Sequence, residues 1–329
     1  MVFQNTDSSP YWFLKEKSGI IHLVRIYWPF FSYVIGGIIL SHFERFVRWM
    51  GLQNYSSATQ KEYIREIERF HRFLDASQLS VSEVEMADVE DYIISLQIAE
   101  MAKNRAMSAL RTYFRYQASR GLIAKDPTEK LKSIKVKRKN PVFLTQEEYM
   151  ALMETIHANA RGFMGLRDQT IVALFLSTGA RVSELIHVRF QDLQKNPSGL
   201  YSIEVLRKGQ EMDYVFVNRQ ASELLDCYLS ERKEQEFTTD YLFLSKNGNP
   251  LDRTAAFRMI QKYLIMSGIQ KKKMGPHVLR HTFATTLMRK NVSLFKIKEL
   301  MNHKNLKTTE RYLHVVEDDL RKAVEEIEY

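Results

Sequence analysis

The sequence contains only one cysteine, Cys227, among its 329 residues. A single cysteine excludes an internal disulfide and a cysteine-based zinc site, and it fits a reducing cytoplasm. No cluster of aspartate and glutamate has the spacing of metal ligands, and the sequence has no glycine-rich loop of the P-loop type. These absences argue against metal-dependent nucleases and NTPases. We therefore predict a cytoplasmic protein that uses no metal and no other cofactor.

Long apolar runs are also missing. Residues 26–40, "IYWPFFSYVIGGIIL", carry no charge, but these fifteen residues fall short of the roughly 20 that a membrane span needs. Pro29, Gly36 and Gly37 interrupt the run, and it begins too far from the first residue to resemble a typical signal peptide. We predict that residues 1–40 form a packed or disordered extension rather than a membrane anchor, and we assign them no role.

The composition is that of a globular protein, with 45% hydrophobic and 12% aromatic residues. The length is sufficient for two domains, each with its own core. Lysine and arginine exceed aspartate and glutamate by 48 to 39, which gives a net charge of +9. This excess is compatible with a polyanionic partner such as nucleic acid, although net charge alone cannot identify the partner.

The segment 41–129 has the periodicity of an all-α domain. Four amphipathic patterns lie between residues 41 and 121, and the second has its apolar stripe at helical spacing. Thr59 and Glu62 have the spacing of a capping box for that second helix. The fourth pattern carries Arg105, Arg111 and Arg115 with few acidic neighbours. These arginines form either a solvated face or a surface that contacts the DNA backbone.

A basic linker is expected at residues 130–140. Six of the ten residues from 130 to 139 are basic, and Pro127 and Pro141 lie on either side of the run. Charge repulsion and proline both disfavour a helix here. Such a segment either lies along a phosphate backbone or is only solubilising. The candidate DNA contacts in it are Lys135, Lys137, Arg138 and Lys139.

The region 141–329 is predicted to be a second domain, mainly α with a small antiparallel sheet. Thr145 is a candidate cap for its first helix. Strand-like patterns at 201–206 and 213–217 predict a β-hairpin, and helical patterns resume at Arg219. The order of these elements indicates a helical domain into which one hairpin is inserted.

Two arginines in this second domain lie next to predicted helix starts. Arg181 follows the break at Gly179, and Arg280 follows a Gly-Pro turn. Guanidinium groups and free backbone N–H groups at such positions suit an anion, although a simple ion pair between Arg181 and Glu184 is the alternative. Lys208, at the tip of the hairpin, could act as a proton donor to that anion. A site that handles phosphate without a metal must supply positive charge from its own side chains.

Several motifs together resemble the tyrosine recombinase (phage integrase) family, on its Xer-like branch. They are "NRAMSALRTYFRYQASRGLIAKDP", "STGARVSEL", "LRKGQ", "HVLRHTFAT" and "LMNHKNLKTTERYLHV". Their order and spacing agree with the family: His277 and Arg280 are three residues apart, His303 follows Arg280 by 23, and Tyr312 follows His303 by nine. The resemblance extends over roughly residues 41–329, which is nearly everything except the N-terminal extension.

The resemblance implies a site-specific DNA recombinase in which Tyr312 attacks a phosphodiester. The products of this step are a 3′-phosphotyrosine bond and a free 5′-hydroxyl. It implies that Arg181 and Arg280 bind the non-bridging oxygens and that Lys208 protonates the leaving 5′-oxygen.

The remaining site residues carry supporting roles in the same resemblance. His277 would assist proton transfer at the tyrosine, His303 would hydrogen-bond the phosphate, and Glu184 would orient a neighbouring catalytic side chain. Arg207 is a lesser alternative to Lys208. Three nearby histidines are interpreted as structural: His187, His281 and His314.

The resemblance also implies a fold and partners. We expect a SAM-like, DNA-binding helical domain at 41–129 and a tyrosine recombinase catalytic domain at 141–329. The partners would be a specific duplex DNA site and other recombinase protomers, in a homo-tetramer or a hetero-tetramer with a paralogue. Chromosome dimer resolution and integration or excision of a mobile element both remain open. The competing functions are a type IB topoisomerase and a catalytically silent DNA-binding protein.

The chain departs from the family pattern in two places. Where many members have Leu-Gly-His, this chain has Met301 and Asn302 before His303. Asparagine can adopt the left-handed conformation that glycine supplies, so we expect the turn to survive. The pattern after the catalytic lysine is often basic, whereas "KGQEMD" at residues 208–213 is acidic. This acidity puts DNA contacts of the hairpin in doubt.

Overall fold

The computed structural model describes residues 12–13, 23–24, 38–136, 140–207, 211–235, 237–302 and 306–315. The chain divides into two compact units, Met1–Lys137 and Arg138–Tyr329. The boundary between the units falls within the segment 130–140 that the sequence marks as a linker. In the described ranges, no helix combines the length and the apolar character that a bilayer crossing would need.

Most of the apolar stretch 26–40 lies outside the described residues. Within the N-terminal extension, strands β1 (Trp12–Phe13) and β2 (Leu23–Val24) pair antiparallel. The first helix begins at Ile38, three residues before the helical pattern predicted from residue 41.

The first unit contains the four helices that the periodicity predicts. They are α1 (Ile38–Leu52), α2 (Ser57–Ala76), α3 (Met86–Ser95) and α4 (Glu100–Ser119). The stripe of α2 is buried at Ile67, Phe70 and Leu74, as its spacing predicts. Phe70 packs edge-on against Phe114 of α4, with ring centroids 5.8 Å apart. The first unit therefore has an aromatic core of its own.

The cap predicted for α2 is wrong. The helix is capped by Ser56, whose side-chain oxygen accepts a hydrogen bond from the Thr59 backbone N–H at 3.2 Å. Ser56 has extended backbone angles, φ −61° and ψ 150°, whereas Thr59 already lies in the first turn. Because several residues of the polar segment before α2 have capping side chains, their identities alone did not show where the helix begins.

The second unit contains seven helices in its described residues, arranged around a three-stranded sheet. The helices are α5 (Gln146–Asn159), α6 (Gly162–Thr178), α7 (Val182–Leu185), α8 (Arg219–Lys233), α9 (Arg253–Met266), α10 (Pro276–Arg289) and α11 (Leu294–Leu300). Two 3-10 segments follow, Leu306–Thr308 and Glu310–Val315. The mainly α class with a small antiparallel sheet is thus confirmed.

The sheet is antiparallel in the order β3 (Leu193–Lys195), β4 (Tyr201–Leu206) and β5 (Met212–Phe216). The hairpin β4–β5 matches the prediction within one residue. Strand β3 was missed because it is three residues long and largely exposed, so it has no alternating apolar pattern to detect.

A glycine turn positions the first arginine of the site. Helix α6 ends at Gly179, which has a left-handed φ of 61°. A Cβ on this residue would approach the Phe283 ring to 2.2 Å, so both the conformation and the space require glycine. The chain then restarts as α7 with Arg181 as its N-terminal flanking residue.

Candidate active site

Arg181 and Glu184 form a compact unit at the start of α7. The Glu184 carboxylate accepts a hydrogen bond from the Arg181 backbone N–H at 2.6 Å and another from its Nη1 at 2.7 Å. Burial alone would raise the pKa of Glu184, but these hydrogen bonds and the charge of Arg207 hold the pKa below its ordinary value. Glu184 therefore stays ionised and fixes the direction of the Arg181 guanidinium.

Arg280 lies one turn into α10 and is almost fully buried, with 6% exposure. Its Nη1 donates to the Gly179 carbonyl, and its Nη2 donates to the Met301 carbonyl at 2.6 Å. Burial, followed by repulsion from Arg181, lowers the pKa of Arg280 to about 10. The side chain is still charged at neutral pH, and an anion bound beside it would relieve the repulsion between the two arginines.

His277 lies on α10 one turn before Arg280, and its side chain reaches solvent. Desolvation by the surrounding protein lowers the pKa of His277, and the charges of Arg253, Arg280, Lys273 and Arg181 lower it further. A neutral imidazole follows at pH 7, and a neutral imidazole can accept a proton.

Tyr312, the predicted nucleophile, is buried in the 3-10 segment Glu310–Val315, with 1% exposure. Its hydroxyl lies 2.7 Å from Nδ1 of His281, the residue next to Arg280. The ring packs into a small apolar cluster that includes Met288 of α10 and Ile297 of α11. Tyr312 is thus packed against α10 and α11 and is not accessible to solvent.

The contact between His281 and Tyr312 is one that the sequence reading missed. His281 directly follows Arg280 and lies four residues after His277. No residue pattern distinguishes it from the motif residues around it, so the sequence does not predict its contact with Tyr312. His187, in contrast, makes a local bond from Nδ1 to the Ser183 carbonyl at 2.6 Å, which fits its structural interpretation. The His314 side chain lies outside the described residues.

Lys208 and His303 also lie outside the described residues, but each has a described neighbour at the site. Arg207, which precedes the lysine, is buried and donates to Glu184 at 2.9 Å and to Asp213 at 3.2 Å. Because its guanidinium already donates to these two carboxylates, Arg207 is a poor candidate for the general acid at the 5′-oxygen. This argument favours Lys208 over Arg207 for that role.

In the first unit, Arg111 has a different environment from the one expected of a DNA contact. Its Nη2 donates to the Leu131 carbonyl at 2.5 Å, and its Nη1 donates to Ser133 at 3.2 Å. Asn104, also on α4, exchanges two hydrogen bonds of 2.8 Å with the backbone of Ile134. Arg111 and Asn104 thus attach the start of the basic segment to α4.

The other predicted DNA-binding residues that are described lie at the surface. Arg105 is 65% exposed and pairs loosely with Glu62 at 3.6 Å, and Arg115 and Lys135 are exposed. Three more lie outside the described residues: Lys137, Arg138 and Lys139.

Comparison with known proteins decides the family. Residues 142–318 match the family model described as "Phage integrase family", and residues 42–123 match "Phage integrase, N-terminal SAM-like domain". The first match alone spans more than half of the chain. The chain belongs to the phage integrase family of tyrosine recombinases. These enzymes cleave and rejoin DNA, so the reaction class predicted from the motifs is confirmed, and neither a topoisomerase nor a silent binding protein is favoured.

Curated relatives resemble this tyrosine recombinase over most of their length. A tyrosine recombinase from Pseudothermotoga lettingae is 31% identical over 295 residues, which cover 88% of this chain and 98% of the relative. Tyrosine recombinase XerC from Staphylococcus epidermidis is 30% identical over 276 residues, which cover 82% of this chain and 91% of the relative.

Solved structures share the fold. XerH in a post-cleavage complex with a palindromic difH substrate superposes with a TM-score of 0.72 at 20% identity, covering 86% of this chain and 94% of XerH. A λ integrase (75–356) dimer bound to a COC′ core site gives 0.63 at 18% identity, covering 82% and 96% of the two chains. The SAM-like and catalytic fold assignments are therefore confirmed.

Proposed function

We propose that this tyrosine recombinase cleaves a specific duplex DNA site with Tyr312, forming a 3′-phosphotyrosine and a free 5′-hydroxyl. One observation carries the assignment of the residues. Arg280 bonds the carbonyl of Met301, Arg181 approaches the carbonyl of Asn302 at 3.5 Å, and Tyr312 contacts His281 beside Arg280. Four segments spread between residues 179 and 312 thus meet around the two arginines.

In the proposed step, the bond from the Tyr312 oxygen to phosphorus forms while the bond from phosphorus to the 5′-oxygen breaks. His277, neutral at pH 7, takes the phenol proton, and Lys208 gives a proton to the 5′-oxygen. The guanidinium groups of Arg181 and Arg280 stabilise the charge that develops on the non-bridging oxygens, together with a hydrogen bond from His303. Attack of a 5′-hydroxyl on the phosphotyrosine reverses the step without external energy, since the ester linkage is retained.

DNA binding must also release the nucleophile. A phosphate cannot reach a tyrosine that is 1% exposed, so the segment Glu310–Val315 has to move before attack. The bonds from Arg280 to the Gly179 and Met301 carbonyls would then be exchanged for bonds to phosphate oxygens. These exchanges replace neutral acceptors by charged ones, which form stronger hydrogen bonds.

The relatives support a proposal about how the enzyme assembles on DNA. XerC and XerD of staphylococci both match this chain at about 30% identity, and the λ integrase structure contains a dimer on its core site. We propose that the enzyme acts as a tetramer on two DNA sites, alone or with a paralogue, in the cytoplasm where such DNA lies. Chromosome dimer resolution and integration or excision of a mobile element are both compatible with this chemistry.

A suicide substrate tests the proposal. A nick near the cleavage position lets the short 5′-hydroxyl fragment diffuse away, so the covalent adduct accumulates and is seen on a denaturing gel. We expect an adduct with the wild type and with Tyr149→Phe, a change elsewhere in the second unit, Arg138–Tyr329, which is the catalytic unit of this proposal. Tyr312→Phe should form none while binding DNA within a few-fold of wild type, because affinity is spread over many phosphate contacts. An adduct with Tyr312→Phe would refute the assignment.

A further inference from the structure

The two departures from the family pattern contact each other. Asn302 donates from Nδ2 to the Asp213 carboxylate at 2.7 Å, although the residues are 89 positions apart. Asp213 in turn accepts from Arg207 at 3.2 Å, and Arg207 donates to Glu184 at 2.9 Å. Arg181 completes a ring, since it bonds Glu184 at 2.7 Å and lies 3.5 Å from the Asn302 carbonyl.

This polar ring joins the end of the β4–β5 hairpin to the rest of the catalytic unit. Packing holds that end weakly, because Leu206 and Met212, the pair next to the turn, are 57% and 53% exposed and β5 is an edge strand. Within the hairpin, the Arg207 N–H donates to the Glu211 carbonyl at 2.8 Å. The position of the hairpin end relative to the arginines therefore depends on the bonds of Arg207 and Asp213.

Asn302 has a conformation that matters for this bond. Its φ is +45°, in the left-handed region where glycine is favoured and asparagine is tolerated. Glycine would suit this backbone but would have no side chain to reach Asp213. The side-chain amide thus adds a link between the turn before His303 and the strand after Lys208.

We propose that Asn302 is a positioning residue for Lys208. Through Asp213 and Arg207, it holds the described end of the hairpin, and the lysine directly follows Arg207 in the chain. The inference rests on the proposed role of Lys208 as the general acid. The acidic hairpin sequence then has a reason that is independent of DNA contacts: Asp213 is the acceptor that Asn302 and Arg207 share.

The test is Asn302→Gly, assayed on two substrates. A 5′-bridging phosphorothiolate has a sulfur leaving group that needs no proton, so its cleavage does not depend on a well-placed acid. Loss of a hydrogen bond to a charged group predicts that ordinary DNA is cleaved about tenfold more slowly by the variant. Cleavage of the phosphorothiolate should stay within about twofold of wild type, and Lys208→Ala should show the same pattern with a larger effect on ordinary DNA.

Asn291→Gly is the matched control. Asn291 also has a positive φ, 56°, and an exposed side chain after α10, so the same substitution leaves the ring intact. Both substrates should be cleaved by this variant at the wild-type rate. The same comparison separates loss of the side-chain amide from the general effect of placing glycine at a left-handed position.

A double-variant cycle completes the test. If Asn302 acts through Asp213, the double variant Asn302→Gly/Asp213→Ala should be no slower than Asp213→Ala alone. Equal slowing on both substrates, an unchanged rate on ordinary DNA, or additive effects would overturn the inference. These outcomes are distinct from failure of the proposed function, in which the wild type itself would form no adduct with either substrate.

Discussion

The arginines of the first unit, the SAM-like helical unit, and of the second, catalytic unit are held in opposite ways. In the catalytic unit, Arg207 and Arg280 are almost fully buried, and carboxylates or backbone carbonyls accept hydrogen bonds from their guanidinium groups. In the helical unit, Arg105 and Arg115 lie at the surface, and the described ion pair of Arg105 is long and exposed. Orienting a guanidinium before the substrate arrives lowers the reorganisation needed in a transition state. A solvated arginine instead contributes to affinity through the phosphates that it neutralises.

The largest effect should come from a buried arginine. Arg280→Lys keeps the charge but replaces the fork of guanidinium donors by one ammonium, which cannot bind two phosphate oxygens at once, so cleavage should fall by about 10²–10³-fold. Binding to the DNA site should change only a few-fold, because one of many cationic contacts is altered. Single-turnover cleavage at saturating DNA measures the first quantity, and a gel-shift titration measures the second. Arg105→Ala, at an exposed arginine, is the matched comparison. A similar loss of single-turnover rate in this variant would contradict the difference between the buried and the exposed arginines.

Separation of the units should have the next largest effect. We expect the fragment 138–329 to bind the site about 10²-fold more weakly than the full chain at physiological salt, with a smaller dependence of affinity on salt. The physical reason is the loss of the exposed cations of the helical unit and of Lys135. Titrations at several salt concentrations measure both quantities. An unchanged affinity and an unchanged salt slope would show that the helical unit does not bind DNA.

A pH profile examines the cationic environment of His277. Its pKa lies below the ordinary 6.5, so the imidazole is neutral above that value and becomes protonated only as the pH falls through its lowered pKa. The cleavage rate should therefore be level from about pH 8 to pH 6.5 and decline on further acidification, because a protonated imidazole cannot act as a base. His277→Gln should be slower throughout and should lose this decline. The control His187→Gln changes a histidine that makes only a local backbone bond, and this variant should keep the acidic decline. If the decline persists in His277→Gln, a group other than His277 causes it.

The smallest effects should distinguish two arginines on α4. Arg115→Ala should weaken DNA binding about threefold and reduce the salt slope by about 1, as expected for one lost phosphate contact. Arg111→Ala removes bonds to Leu131 and Ser133, so it should lower the free energy of unfolding of the helical unit by about 1 kcal/mol. Denaturant titration and gel shifts on both variants measure these quantities. The reverse pattern would mean that Arg111 is the contact residue and Arg115 the structural one.

The architecture could be predicted where the relevant signal is local. The apolar stripe of α2, the cap at Thr145 and the break at Gly179 depend on residues within a few positions of one another, and such patterns survive in any tertiary context that buries them. The hairpin β4–β5 was predicted for the same reason. The cap of α2 and strand β3 were not, because neither carries a pattern that differs from its neighbours.

The candidate site, like the fold, could be predicted only in part from the sequence. The order and spacing of the family motifs predict Arg181, Arg280 and Tyr312 as site residues from the sequence by itself, since a nucleophile and its cations are expected to recur in a fixed chain order on one fold. Only the tertiary structure decided that Tyr312 is buried against His281, that Arg111 holds a backbone segment and that Asn302 bonds Asp213. These contacts join residues from 20 to 89 positions apart. No periodicity records such pairs, because the packing of whole elements brings them together.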